Sequence, residues 1–186
     1  SKWITNEQSR SLVHSFRAEF DAIIIGGNTL RKDNPYLTSR GTKNPEPLRV
    51  VFTKSLDLPA KSNLWDCDMA KTIVIYDSST ANESHLTRIP KCVEVEKVSS
   101  DNPELISKIL ANRGCSKVLW ECGPRLATAA IQSNCIQEII TYIAPKILGG
   151  ENSMNPIGDL EFEEMHKIIK LADSQVSLVG NDICVK

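Results

Sequence analysis

Residues 118–130 read Val-Leu-Trp-Glu-Cys-Gly-Pro-Arg-Leu-Ala-Thr-Ala-Ala, and this stretch decides the fold class. A short apolar run ends at Glu121, a Gly-Pro corner follows, and an Ala- and Leu-rich helix begins. Unpaired N–H groups at such a helix start, together with the helix dipole, favour an anion such as a phosphate. An ordinary strand-to-helix turn explains the spacing equally well, because one Gly-Pro is a much weaker signal than a G-x-G-x-x-G fingerprint.

The segments around this stretch repeat the alternation of strand and helix. Short apolar runs at 22–25, 48–52 and 72–76 predict buried strands, and residues 93–98 alternate as an exposed edge strand. Asn102 and Pro103 are typical of a helix start, and that helix leads back to residue 118. The pattern predicts an α/β fold with helices packed on a mostly parallel sheet.

The C-terminal part of the chain predicts a different arrangement of strands. Residues 166–171 and 182–185 are short apolar runs joined by a short segment, which is typical of an antiparallel hairpin. Added to the parallel strands, this hairpin makes the expected sheet mixed. The sequence shows no internal repeat or linker, so we expect one domain over residues 1–186.

Composition indicates a small-molecule ligand. Lys and Arg number 22 against 23 Asp and Glu, and this net charge of −1 gives no reason to expect nucleic acid or an anionic membrane as partner. No apolar run approaches the length of a membrane helix, and no signal-peptide pattern opens the chain. The six cysteines are scattered without paired spacing, so we expect free thiols, no metal site, and a reducing compartment such as the cytoplasm or a plastid stroma.

Several motifs in this order resemble one family, the reductase domain of the bifunctional riboflavin-biosynthesis deaminase/reductase. They are residues 1–5, 17–19, 22–30, 33–40, 47–51, 121–124 and 143–150. The resemblance spans nearly the whole chain and implies a dihydrofolate-reductase-like α/β fold, a three-layer sandwich around a mixed, mostly parallel sheet. It also implies NADPH-dependent reduction of the ribose of 5-amino-6-(5-phosphoribosylamino)uracil to a ribityl chain.

The resemblance assigns two sets of binding residues. It places the substrate's phosphate and ribose at Ser1, Arg17, Leu37, Arg40 and Glu121. It places the cofactor at Trp3, Thr29, Asp33, Lys54 and the run Gly123, Pro124, Arg125, Leu126, Ala127, Thr128 and Ala129. Arginine suits phosphate because its guanidinium donates paired hydrogen bonds, and a carboxylate can accept hydrogen bonds from sugar hydroxyls. No catalytic nucleophile and no metal is required, since the nicotinamide supplies the hydride.

Three features depart from the family pattern. Cys122 stands where the family has Gly or Ala, and Lys54 stands where it has a small hydroxyl residue, which would favour the 2′-phosphate of NADPH. The chain opens at Ser1-Lys2-Trp3 without the family's first strand, and we expect that strand and the deaminase domain to be absent here.

Other functions stay open from the sequence. A shared fold does not determine the substrate, so a reductase of another pterin or aminopyrimidine is one alternative. A catalytically silent nucleotide-binding or assembly domain is another. The expected partners are a phosphoribosyl-aminouracil, a fused or associated deaminase domain, and a second copy in a homodimer.

Overall fold

A computed structural model of the protein describes residues 3–150, 155–164, 166 and 168–186. The helices are α1 (Glu7–Phe16), α2 (Gly27–Asp33), α3 (Pro103–Asn112) and α4 (Pro124–Gln132), with 3-10 turns at Arg17–Glu19, Asn63–Trp65 and Glu83–Arg88. The strands are β1 (Ala22–Gly26), β2 (Leu48–Thr53), β3 (Thr72–Asp77), β4 (Glu94–Val98), β5 (Val118–Trp120), β6 (Thr141–Ile143), β7 (Val176–Val179) and β8 (Asp182–Val185).

Five strands form a parallel sheet in the order β4-β3-β2-β1-β5. The chain moves outward from β1 to β4, then crosses back through α3 and places β5 on the other side of β1. The predicted edge strand at 93–98 is confirmed as β4. The order reverses between β1 and β5, which makes this the topological switch point where ligands collect in such sheets.

The two faces of the sheet each bury an apolar layer. Side chains alternate along β1, so that Ile23 and Ile25 face a cluster with Leu30 of α2, whereas Ile24 faces a cluster with Ile106 of α3. All five side chains are fully buried. Helices and loops therefore cover both faces, and the expected three-layer α/β sandwich is confirmed.

The C-terminal strands form a separate sheet. The three strands β6-β8-β7 are antiparallel and do not join the parallel sheet in the described residues. The predicted strand at 182–185 is confirmed, but its predicted partner at 166–171 is wrong. Val176–Val179 takes that place because Gly180 adopts a φ of 61°, which suits the two-residue turn that Gly180-Asn181 makes before β8.

The β7–β8 hairpin holds the start of α1. Asp182 accepts hydrogen bonds from the Asn6 N–H (2.8 Å) and the Ser9 hydroxyl (2.7 Å), and the Asn6 side-chain amide donates to the Val179 carbonyl (2.6 Å). These contacts lower the pKa of Asp182 against the opposing effect of burial. The hairpin therefore fixes the helix that leads to Arg17.

Asp21 ties together the starts of the two strands at the switch point. Its carboxylate accepts from the N–H groups of Ser116 (2.8 Å) and Lys117 (3.0 Å), which precede β5, while Asp21 itself precedes β1. These backbone hydrogen bonds lower the pKa of Asp21 to about 2. The alignment of β1 with β5 is therefore supported by a side chain as well as by the strand pairing.

The expectation of six free thiols is wrong for one pair. Cys67 and Cys92 are joined in a disulfide across 25 residues, with their Cα atoms 6.2 Å apart. The spacing of the cysteines in the sequence does not reveal this disulfide. The two residues meet only because the loop after Trp65 packs against the segment before β4. Cys115, Cys122, Cys135 and Cys184 are free.

Among the described residues, no helix is both long and apolar enough to span a membrane. The same part of the chain contains no group of three or more His, Cys, Asp or Glu side chains placed to hold a metal ion.

Candidate functional site

A cavity of about 850 Å³ opens at the switch point of the parallel sheet. Ile25 of β1 and Glu121, which follows β5, form its floor, and side chains of α1, α2 and the loop at 34–40 form its walls. The carboxyl ends of β1 and β5 meet here, as expected for a ligand site in an open α/β sheet. Of the predicted site residues, Trp3, Arg17, Thr29, Asp33, Leu37, Arg40 and Glu121 line this cavity.

Arg17 is held on three sides. Its Nε and Nη2 donate to the two carboxylate oxygens of Glu121 at 2.9 and 2.6 Å, and its Nη1 donates to the Thr38 carbonyl at 3.1 Å. The Arg17 side chain is only 7% exposed, against 34% for Glu121. The structure thus joins two predicted substrate residues to each other, and most of the guanidinium's donors are already used.

Arg40 is an exposed cation of the cavity. It follows Leu37 in a loop where both residues have left-handed φ values, 51° for Leu37 and 57° for Arg40. Within the described residues, the Arg40 guanidinium makes no hydrogen bond or salt bridge, so its five N–H donors are available to a ligand. Leu37, by contrast, is buried, and its side chain belongs to the apolar core.

The loop that contains Leu37 and Arg40 is braced by a carboxylate at its base. Glu46 accepts from the N–H groups of Ser39 (2.6 Å) and Gly41 (2.8 Å). Burial raises the pKa of Glu46, but these hydrogen bonds outweigh it and the net pKa is lowered. An ionised Glu46 therefore fixes the backbone on both sides of Arg40, where non-glycine residues are held in an unfavourable conformation.

Three predicted cofactor residues lie around the mouth of the cavity. Trp3 is half exposed and lies under the Arg10 guanidinium, 5.0 Å from the ring centre. Thr29 and Asp33 lie on α2, one turn apart, and both face the cavity. Ser1 lies outside the described residues.

The start of α4 lies beside Thr29, but none of the predicted cofactor residues 123–129 lines the cavity. Gly123 caps the helix with a φ of −74° and without a side-chain hydrogen bond, and Pro124 is its first residue. The N–H groups of Arg125 and Leu126 have no hydrogen-bond partner in the part of the chain that the structure describes, as expected for a helix start. A Cβ on Gly123 would lie 3.8 Å from the Thr29 hydroxyl, so Thr29 lies between the helix start and the cavity.

The remaining residues of the predicted run point in different directions around α4. Leu126 packs against the apolar layer on Ile24's side of the sheet, and Ala127 lines a second cavity of about 500 Å³. The Thr128 hydroxyl donates to the Pro124 carbonyl and accepts from the Gly158 N–H, both at 2.8 Å. Arg125 is exposed and Ala129 is half buried. A ligand at this helix would therefore meet backbone groups more than side chains.

Lys54 lies after β2, away from the cavity wall. Its ammonium group pairs with Asp101 at 2.6 Å, and this partner raises the pKa of Lys54. Arg125 lies near enough to lower the same pKa. The charge of Arg125 thus acts on Lys54, although the two residues are 71 positions apart in the chain.

Cys122 does not project into the main cavity. Its thiol lines the second cavity with Ala127, and burial raises the pKa of Cys122 to about 12. The thiol is therefore protonated and unreactive at neutral pH.

Sequence reasoning missed His14. The imidazole lines the main cavity, and its Nδ1 lies 3.1 Å from Nη1 of Arg17. The available signal was the i, i+3 spacing of His14 and Arg17, which places the two side chains on one helical face.

Comparisons with known proteins agree with this architecture. The family model described as the RibD C-terminal domain matches residues 1–185. The chain is 41% identical over 184 residues to the riboflavin biosynthesis protein RibD of Synechocystis, and 40% identical over 183 residues to the chloroplastic riboflavin biosynthesis protein PYRR of Arabidopsis thaliana. These alignments cover 98% of this chain, but 50% of the first relative and 31% of the second.

Solved structures show the same fold. RibD of Acinetobacter baumannii aligns with a TM-score of 0.78 at 24% identity, over 100% of this chain and 51% of that one. The Saccharomyces riboflavin biosynthesis reductase Rib7 aligns with a TM-score of 0.74 at 16% identity, over 96% of this chain and 80% of that one. With the match to the family model, these findings show that the chain belongs to the RibD C-terminal domain family, the reductase domain of riboflavin biosynthesis.

Proposed function

We propose that this chain reduces the ribose of 5-amino-6-(5-phosphoribosylamino)uracil to the ribityl product, with NADPH as hydride donor. A Thermotoga maritima structure with the same fold is named a diaminohydroxyphosphoribosylaminopyrimidine deaminase/5-amino-6-(5-phosphoribosylamino)uracil reductase; it aligns with a TM-score of 0.72, and this chain covers 49% of it. The chain spans about half the length of the curated RibD relatives it matches, so the reaction is proposed here from the site.

One observation gives this proposal its strongest support. Thr29 lines the charged cavity at the switch point of the sheet, and its hydroxyl lies 3.8 Å from a Cβ position on Gly123, at the uncapped start of α4. A dinucleotide needs a place for its diphosphate beside a place for its nicotinamide, and the substrate needs a place for a sugar phosphate beyond that. An N–H-rich helix start, a cavity wall and an exposed arginine would serve these three needs.

The residues fit a nicotinamide dinucleotide. The free N–H groups of Arg125 and Leu126 would hold the diphosphate, because a helix start favours negative charge. Trp3, Thr29 and Asp33 would hold the nicotinamide end, and the exposed cations Lys54 and Arg125 would hold a 2′-phosphate. NADPH supplies the hydride when bound; the protein's part is to bind, orient and exclude water.

The substrate residues would bind different parts of the substrate according to their charge. Arg40 presents free donors to the phosphate, and Glu121 presents carboxylate oxygens to the sugar hydroxyls, since each oxygen can accept a further hydrogen bond beside Arg17. Arg17 would act by holding Glu121 and the Thr38 carbonyl in place. The buried Leu37 would form part of the apolar wall.

Replacing Arg40 with alanine is expected to raise the KM for the phosphoribosyl substrate. Losing about 1.5–3 kcal/mol of charged hydrogen bonding corresponds to an increase of roughly tenfold to a few hundredfold. The affinity for NADPH and the stability should hardly change, because the Arg40 side chain is exposed and unpaired within the described residues. Steady-state oxidation of NADPH, followed by its absorbance, measures the effect.

Arg31→Ala is the matched control for this test. Arg31 is also an exposed arginine near the same loop, but its guanidinium donates to the Asp57 carbonyl and does not line the cavity. An equal KM for both variants would contradict the phosphate assignment. Turnover of another pterin or aminopyrimidine in place of this substrate would favour the first alternative, and NADPH binding without oxidation would favour a silent domain.

Replacing Gly123 with valine tests the cofactor assignment. Gly123 has a φ that valine can adopt, and its Cβ would make an ordinary contact, so the fold should survive with a loss of at most about 1 kcal/mol. The added branches lie where a diphosphate would approach, and we expect at least a roughly tenfold weaker Kd for NADPH.

Isothermal titration measures this change in affinity. Ala111→Val, at an exposed position of α3 that does not line the cavity, is the control for a valine added to a helix. Unchanged NADPH affinity in a folded Gly123→Val protein would remove the start of α4 from the cofactor site.

The expected partners and location also stay proposals. The longer RibD relatives support a deaminase domain in the same protein, and the chloroplastic relative supports a plastid as one possible compartment beside the cytoplasm. A homodimer is proposed from the sequence resemblance alone.

A further inference from the structure

One end of the main cavity gathers three nitrogen-rich side chains around a single carboxylate. His14, Arg17, Arg40 and Glu121 all line it. The donors of Arg17 are taken by Glu121, by the Thr38 carbonyl and by His14, so Arg17 has little left for a ligand. A dianionic phosphate at this end would therefore meet only one free guanidinium, that of Arg40, and needs a second partner.

The hydrogen bond from Arg17 fixes the tautomer of His14. A guanidinium can only donate, so Nδ1 of His14, 3.1 Å away, must accept and must lack a proton. The ring is then neutral and bears its proton on Nε2. No hydrogen bond connects Nε2 to a described residue, which leaves that N–H as a donor for a ligand in the cavity.

The surroundings of His14 favour its neutral imidazole. Burial, Arg17 and Arg40 lower the pKa of His14, in that order, and Glu121 opposes them. Arg10 on the same helix and Lys32 on α2 add positive charge around the cavity, whereas Asp33 adds negative charge. Positive groups therefore outnumber negative ones here by two charges, which a bound dianion would neutralise.

We propose that His14 binds the ligand's phosphate together with Arg40, and that it takes up one proton from solvent as the dianion binds. This inference rests on the proposed function for the identity of the ligand as a phosphate monoester. The proton goes to Nδ1, and the hydrogen bond from Arg17 to Nδ1 breaks because both atoms are then donors. The freed Nη1–H of Arg17 and the Nε2–H of His14 both become donors to the anion.

Sulfate tests this proposal in the full chain, because it stays dianionic over the pH range of histidine titration and cannot itself exchange the proton. Titration calorimetry at pH 7.5 in buffers of different ionisation enthalpy gives the number of protons taken up. We expect roughly half a proton or more per sulfate in the wild-type protein. NMR of the imidazole C–H signals should show that sulfate raises the titration midpoint of His14.

Two variants of His14 distinguish its uptake of a proton from its role in positioning Arg17. His14→Asn keeps an acceptor near Nδ1 for Arg17 but cannot gain a proton, and His14→Gln places its amide nearer to Nε2. Both should bind sulfate with almost no proton uptake, and binding should be several-fold weaker. His85→Gln, on a 3-10 turn remote from the cavity residues, is the control and should keep the full uptake.

The proposal is overturned if wild-type protein does not bind sulfate, binds it without proton uptake, or shows the same uptake in both His14 variants. None of these measurements needs NADPH or turnover. A protein that takes up the proton through His14 but does not oxidise NADPH on the phosphoribosyl substrate would contradict the proposed function alone.

Discussion

Replacing Arg49 with methionine is expected to lower the free energy of unfolding by about 3–5 kcal/mol. Arg49 lies on β2 and is completely buried. Its Nη2 donates to the carbonyls of Leu64 (3.1 Å), Asp66 (2.7 Å) and Ala70 (2.6 Å). Methionine fills similar space but leaves the carbonyls of Asp66 and Ala70 without this donor, whereas the Leu64 carbonyl keeps the Thr72 hydroxyl at 2.8 Å.

The other nitrogens of Arg49 make weaker contacts than Nη2, and two nearby carboxylates offset part of the cost of burying its charge. Nη1 reaches the carbonyls of Tyr36 and Asn63, both at 3.4 Å, while Nε has no partner among the described residues. Burial lowers the pKa of Arg49, and the nearby carboxylates Asp66 and Glu46 oppose it. The side chain thus joins the loop at 63–70 to the loop that leads into the cavity.

Denaturant unfolding of three variants tests this role. Arg49→Lys keeps the charge but has at most three donors, so we expect an intermediate loss of about 1–3 kcal/mol. Arg88→Met removes an exposed arginine with a single ion pair, to Asp57 at 3.2 Å, and should change stability by less than about 0.5–1 kcal/mol. An equally small loss of unfolding free energy for Arg49→Met and Arg88→Met would contradict this structural role of Arg49.

Replacing Glu121 with glutamine is expected to reduce stability as well as substrate binding. The change leaves the guanidinium of Arg17, which is only 7% exposed, without its counter-ion. Removing one partner of a buried pair costs about 3–5 kcal/mol, and we expect roughly 2–4 here because water reaches Glu121. The KM for the phosphoribosyl substrate should also rise, since the same carboxylate lines the cavity.

Measuring both quantities on the same variant separates the two roles. Glu94→Gln is the control, because Glu94 pairs with Arg113 at 2.7 Å on the exposed edge strand and should affect neither stability nor kinetics much. A double-mutant cycle with Arg17→Met should give a coupling energy of about 1–3 kcal/mol. Lost stability with an unchanged KM would leave Glu121 a purely structural residue, and unchanged stability would contradict the pairing.

The sequence by itself determined the class of the fold and much of the candidate site. Apolar β-branched runs between helix signals predict buried parallel strands, because strands covered on both faces cannot alternate in polarity. The Gly-Pro corner at 123–124 predicts the start of α4 from local backbone chemistry alone, and the structure confirms it. The family motifs pointed to seven residues that line one cavity, although their binding roles stay predictions.

How those residues meet depends on the packing of the folded chain. The salt bridge of Arg17 with Glu121 joins residues 104 positions apart. It uses guanidinium donors of Arg17 that were predicted to bind the substrate's phosphate. Likewise, Cys67 meets Cys92 because two loops pack together. Such pairings depend on long-range packing, which a local pattern of residue types does not encode, whereas strand and helix patterns arise from contacts between near neighbours.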